Sequence, residues 1–218
     1  MNKFNKDYFE NGIAKKISCY ENYRWIPELT YPMAHAIVHA LKIKPKDKVL
    51  EYGCAHGFLV KALNDFNINA FGCDISEYAI SSCPNEIKKK LFKITLNNFS
   101  KKLNKILGKE KLDHTIAKDV FEHLIPEDLE KIIKILSKNT KSLLVVVPLG
   151  DNGKYRIKNY AEDVTHVIAE NENWWKNILE KNGFKLVNFK YQVNGVKEKW
   201  VEVNKKGNGF LFLKSIAK

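Results

Sequence analysis

A chain of 218 residues is long enough for one generous domain with a single substantial core. No run of about 18 apolar residues occurs, and Met1-Asn-Lys-Phe-Asn-Lys-Asp-Tyr8 has no apolar signal core, so a cytoplasmic protein without a membrane span is expected. The net charge of +12 raises nucleic acid as a partner, but of 37 basic residues only Arg24 and Arg156 are arginine, and the lysines are scattered in short groups, so nucleic acid is not the expected partner.

Residues 1 to 30 read as an irregular aromatic segment carrying Tyr20, Tyr23, Arg24 and Trp25. Met33, Ile37, Val38 and Leu41 then recur at helical spacing, which predicts a helix over 31–43. Strands follow near 47–52, 69–74, 91–96, 112–118 and 142–148, with helices between them. One helix covers 126–137, with Pro126 in its first turn beside Glu127 and Asp128. This alternation predicts an α/β fold with a doubly wound parallel sheet. The end differs: 184–192 and 209–213 read as two strands joined without a helix, so they should pair antiparallel at one edge. Cys19, Cys54, Cys73 and Cys83 contain no Cys-x-x-Cys pair, which predicts reduced thiols and no zinc site. One domain is expected over 1–218, with 1–44 as an N-terminal helical lid and 45–218 as a cofactor-binding core.

The most informative stretch is Val49-Leu50-Glu51-Tyr52-Gly53-Cys54-Ala55-His56-Gly57-Phe58-Leu59. A short β-like run ends in an acid, a turn of small residues follows, and an amphipathic helix begins. Glycines at Gly53 and Gly57 let backbone approach a ligand closely. Asp74 ends the next apolar run, where a carboxylate can hold ribose hydroxyls.

With Lys111-Leu-Asp-His-Thr-Ile-Ala-Lys-Asp-Val-Phe-Glu-His-Leu124, Ser142-Leu-Leu-Val-Val-Val-Pro148 and Asp163-Val-Thr-His-Val167, this pattern resembles the class I S-adenosylmethionine-dependent methyltransferases over roughly residues 45 to 190. The departure is Ala55, where many members carry a middle glycine; alanine is small enough to keep the turn. The resemblance implies a Rossmann-like seven-stranded sheet, mostly parallel with an antiparallel last strand. It also implies S-adenosylmethionine as cofactor. Glu51, Gly53 and the turn to Gly57 would hold the methionine part, Asp74 the ribose, Ile75 an adenine edge, and Asn97 or Asn98 the adenine amino group.

Acceptor chemistry would fall on the turn after the fourth strand and the loop after the fifth. Asp119 lies beside the transferring methyl or caps the turn, and His123 is a second base or a packing residue. His166 is a base or acceptor contact, or a loop anchor held by Asp163. Glu122, His123 and His166 offer metal-ligand atoms, but no two have clear ligand spacing on one element, so no metal is expected. Tyr23, Arg24, Tyr155 and Arg156 sit in regions that cover the acceptor pocket in this family; the arginines suit carboxylates and phosphates, or lie on the surface. An Asn/Asp-Pro-Pro-Tyr/Phe motif for amino acceptors is absent after the fourth strand. The expected acceptor is an oxygen of a small anionic metabolite; by analogy with enzymes of this kind, that metabolite would be a phosphorylated, phosphoramidate or nucleotide-linked sugar precursor of a surface polysaccharide. An RNA- or protein-directed methyltransferase, or a non-catalytic binding module on this fold, are the alternatives. Monomer and homodimer remain equally open.

Overall fold

The computed structural model describes residues 3–108 and 110–217. Two short helices, α1 (Lys6–Glu10) and α2 (Gly12–Lys15), precede α3 (Pro27–Leu41). Pro27 opens α3 in the first turn, where a missing N–H costs nothing, so the helix starts earlier than its apolar spacing predicts. There follow β1 (Lys48–Tyr52), α4 (Phe58–Asp65), β2 (Asn69–Asp74), α5 (Glu77–Ser81), β3 (Leu91–Lys93), α6 (Phe99–Leu107) and β4 (Leu112–Lys118). The second half holds α7 (Pro126–Asn139), β5 (Thr140–Pro148), the hairpin β6 (Gly150–Asp151) and β7 (Lys154–Tyr155), α8 (Glu172–Lys181), β8 (Phe184–Lys190), α9 (Glu198–Val203) and β9 (Asn208–Ser215).

Seven strands form one sheet in the order β3-β2-β1-β4-β5-β9-β8, parallel except for β9, which runs antiparallel to both neighbours. The doubly wound sheet with a reversed last strand is therefore present. The connection of β8 to β9 departs from expectation, because α9 lies in it; its six residues are too short and too polar to announce themselves by periodicity. The placement of β9 inside the sheet follows from its sequence. Asn208 to Leu213 is buried at every residue, as a strand covered on both faces must be, whereas the β8 residues are mostly half-buried or exposed.

Alternate strand residues face two cores. Leu50, Leu143, Val145 and Leu211 pack with Phe99, Leu129, Ile133 and Trp175 under α6, α7 and α8. Val49, Ile116, Leu144 and Phe210 pack with Ala34, Ile37, Leu59 and Leu63 under α3 and α4. No helix among the described residues is long and apolar enough to cross a membrane. The strand order reverses between β1 and β4, and a crevice opens there at the carboxyl ends.

Ile116 lies at the middle of β4 with no exposure. Ile116→Ala is expected to lower stability by about 2–5 kcal/mol, read as a lower urea midpoint at unchanged slope.

Candidate active site

The carboxyl ends of β1, β2 and β4 border a cavity of about 210 Å³. The turn after β1 forms one wall. Gly53 has left-handed backbone (φ +77°), and a Cβ on it would meet Val120 Cγ2 at 2.3 Å. Only glycine fits that close approach. Gly57 shares the left-handed region (φ +75°), at the start of α4 and outside the cavity lining. Ala55 also lies there (φ +48°), at roughly 1–2 kcal/mol for a residue with a Cβ. Asp74 holds it in place: Oδ2 accepts from the Ala55 N–H at 2.8 Å, and Oδ1 accepts from the Ser76 N–H at 2.7 Å. Glu51 reaches the same wall almost fully buried, and its Oε2 has no hydrogen-bond partner among the described residues. Burial pushes its carboxyl up to about 8, with Lys118 pulling in the other direction.

The N-terminal segment forms the opposite wall with Phe4, Tyr8, Phe9, Tyr20 and Tyr23. Three bonds tie it down. Ser76 Oγ donates to the Phe4 carbonyl at 2.6 Å, Tyr78 Oη donates to Glu10 at 2.9 Å, and Tyr8 Oη donates to Asp163 Oδ2 at 2.7 Å.

The turn after β4 completes the site. Asp119 is ion-paired with Lys118 at 2.7 Å and with the nearly buried Lys197. Burial works to raise its carboxyl, but the two ammonium groups win and hold it well below the usual range. His123 packs edge-on against Phe4, with its ring centroid 4.6 Å from that of His166. Burial, helped by His166, pushes the His123 imidazole down to about 4. Burial lowers His166 as well, so both rings are neutral at pH 7.

The sequence-derived candidates divide into groups. Glu51, Gly53, Asp74, Ile75, Asp119, His123 and Tyr23 all line the one cavity. Asn97 and Asn98 do not; the Asn98 side chain instead accepts from the Thr95 N–H at 2.8 Å, and Ile94, Thr95 and Leu96 form that part of the wall. Tyr155 and His166 border a second cavity of about 400 Å³ with Lys154, Lys158 and Asp163. Arg156 is consumed structurally. It grips Asp151 with Nε at 2.7 Å and Nη2 at 3.0 Å, reaches Glu172 at 2.8 Å, and so pins the β6–β7 hairpin to α8. Arg24 is exposed, with no ion pair or hydrogen bond among the described residues. Lys118 and Lys197 were not singled out in the sequence, and Asp128 was read there only as a first-turn acid of its helix. Lys118 alone carried a signal, a lysine closing a strand directly after the apolar pair Ile116-Ala117.

A Rossmann-like sheet with a reversed last strand, and carboxylates at the tips of its first two strands, defines an S-adenosylmethionine-dependent methyltransferase. Residues 43–183 match the model of the Methyltransferase domain family, and the chain belongs to that family. Solved structures agree on the fold. A SAM-dependent methyltransferase from Archaeoglobus fulgidus is 21% identical at TM-score 0.61, with 87% of this chain and 97% of that one covered. The magnesium protoporphyrin IX methyltransferase ChlM from Synechocystis PCC 6803, with bound SAM, is 16% identical at TM-score 0.60, covering 96% and 94%. The mitomycin 7-O-methyltransferase MmcR is 12% identical at TM-score 0.59; 86% of this chain is covered, and it spans 54% of that protein. No curated protein matches the sequence.

Asp119 satisfies two ammonium groups at once, so its loss leaves both uncompensated. Asp119→Asn keeps the shape and tolerates the left-handed backbone (φ +53°). It is expected to cost about 1.5–3 kcal/mol in chemical denaturation.

Proposed function

We propose that this methyltransferase transfers the methyl group to an oxygen of a small anionic acceptor. Phosphorylated, phosphoramidate or nucleotide-linked sugar precursors of surface polysaccharides are the class to screen first. The observation that carries the cofactor assignment is the unpartnered Oε2 of Glu51 at the cavity beside Gly53 and Asp74. When bound, S-adenosylmethionine supplies an activated sulfonium methyl, so the protein's work is placement and proton handling. Glu51 is suited to the ammonium of the methionine part, and Gly53 keeps that wall free of side chains. Asp74 keeps lone pairs beyond its two backbone bonds for ribose hydroxyls. Ile75, Ile94 and Leu96 offer an apolar face to adenine.

On the acceptor side, two neutral imidazoles stand within one turn and one loop of each other. A hydroxyl acceptor needs such a base, whereas a phosphate oxygen is already ionised and needs only positioning. With Arg156 engaged elsewhere, Lys118, Lys154 and Lys158 are the cations bordering the two cavities. The missing amino-directed motif after β4 supports oxygen over nitrogen. Supplying labelled S-adenosylmethionine with candidate acceptors tests the reading: label in a phosphorylated or nucleotide-linked sugar supports it, and label confined to RNA or protein overturns it.

Cofactor binding should carry a proton signature. An ammonium partner requires the Glu51 carboxylate ionised, yet below about pH 8 this carboxyl keeps its proton. Affinity for S-adenosylhomocysteine, measured by calorimetry, should therefore rise between pH 6.5 and 8.5. Glu51→Gln should bind roughly 10-fold or more weakly at the upper pH and lose that dependence, since a charged hydrogen bond is worth about 1.5–3 kcal/mol.

A further inference from the structure

Glu122, His123 and His166 converge although the histidines are far apart in sequence. One potential ligand atom from each lies within 4.8 Å of the others. Glu122 Oε1 and His166 Nε2 are 4.0 Å apart, about twice the bond length of a first-row divalent ion to nitrogen or carboxylate oxygen. Glu122 has no exposure, and neither carboxylate oxygen has a hydrogen-bond partner among the described residues. An unpartnered buried carboxylate is expensive to keep, and a cation is one of the few groups that satisfies both oxygens.

The surrounding bonds set the histidines for the same purpose. His166 donates its Nδ1–H to the Tyr160 carbonyl at 2.7 Å, which leaves the Nε2 lone pair bare. Thr165 Oγ1 gives its only proton to Asp163 Oδ1 at 2.5 Å. It must then accept from His123 Nδ1, 2.7 Å away, so the Nε2 of His123 is bare too. Imidazoles whose Nδ1–H is fixed by a carbonyl or a carboxylate-bound hydroxyl are the arrangement that metal ligands take. The main chain of Glu122 is pinned as well, its carbonyl accepting from Val167 N–H at 2.8 Å and Ile168 N–H at 3.2 Å.

We propose that Glu122, His123 and His166 form a site for one divalent transition-metal ion, placed between the two cavities. Two imidazoles and one carboxylate favour manganese, iron, cobalt or zinc over magnesium and calcium. His123 borders the cofactor cavity and His166 the second one, so an ion here stands where an acceptor oxygen would meet the methyl donor. The acceptor class that completes the coordination is a hydroxyl or phosphate oxygen. That last step rests on the methyl-transfer reading; metal binding does not.

The test uses untagged full-length protein, stripped with a chelator and titrated with Co²⁺ by visible absorption and Mn²⁺ by electron paramagnetic resonance. His35 and His39, exposed and one turn apart on α3, are replaced by alanine in every sample to remove a surface binding pair. Saturable binding of one ion per chain is expected. It should weaken by more than 10-fold in His166→Ala and in Glu122→Gln, and by roughly 10-fold in Thr165→Ala, which touches no ion but frees the His123 ring. A cooperative urea transition of the stripped protein serves as the check on folding. No saturable binding by the folded parent protein overturns the site, as does binding that His166→Ala and Glu122→Gln leave unchanged. Metal binding without S-adenosylhomocysteine binding would sustain the site and overturn only the cofactor roles.

Discussion

The contact between Gly53 and Val120 fixes the whole site. The turn after β1 and Val120 in the turn after β4 approach until no Cβ fits on Gly53, at the place where strand order reverses. Glu51 and Ala55 flank one side of the contact, and Asp119 and Glu122 the other. The separation of the two turns is therefore set by the Gly53 backbone resting on the Val120 side chain. A rigid separation of this kind is what an in-line displacement needs, because small misplacements of the reacting atoms are costly.

Charge is distributed across this contact in an unequal way. Asp119 is over-supplied, with two ammonium groups on one carboxylate. Glu51 and Glu122 are under-supplied, both buried, with one oxygen of Glu51 and both of Glu122 lacking a partner among the described residues. Burial alone would neutralise all three carboxyls; the lysines reverse that outcome for Asp119 only. Glu51 lines the cavity at the strand ends, whereas Glu122 lies beneath His123 and His166, within 4.8 Å of a ring nitrogen of each. Structural acids in this chain, such as Asp163 and Glu172, are fully engaged by comparison.

What the sequence disclosed depended on how local each signal was. The β1 turn was legible because its strand, acid, small residues and helix start are contiguous, and Asp74 ends the very next strand. The parallel sheet was legible from alternating periodicity. Asn97 and Asn98 were misplaced from the wall because β3 stops at Lys93, which lets Ile94 to Leu96 turn into the cavity and Asn98 serve the backbone. Arg156 could not be read, since Asp151 and Glu172 are brought to it by a hairpin that no periodicity marks. Glu122, His123 and His166 were grouped in the sequence but set aside as a metal site for want of ligand spacing on one element, because their convergence depends on the loop after β5 folding back onto the turn after β4.

Asp74 carries a consequence for how this enzyme can change over time. Its carboxylate restrains a left-handed alanine and starts α5 through Ser76, so it is part of the scaffold before any nucleoside arrives. On the proposed ribose role of Asp74, weakening cofactor affinity at this position and loosening the turn are one event, not two. Drift in cofactor preference is thereby steered toward the apolar residues around Ile75 and Leu96, whose side chains hold no backbone in place. In that reading the wall at Asp74 is conservative by construction, and the wall at Ile75 and Leu96 is free to vary.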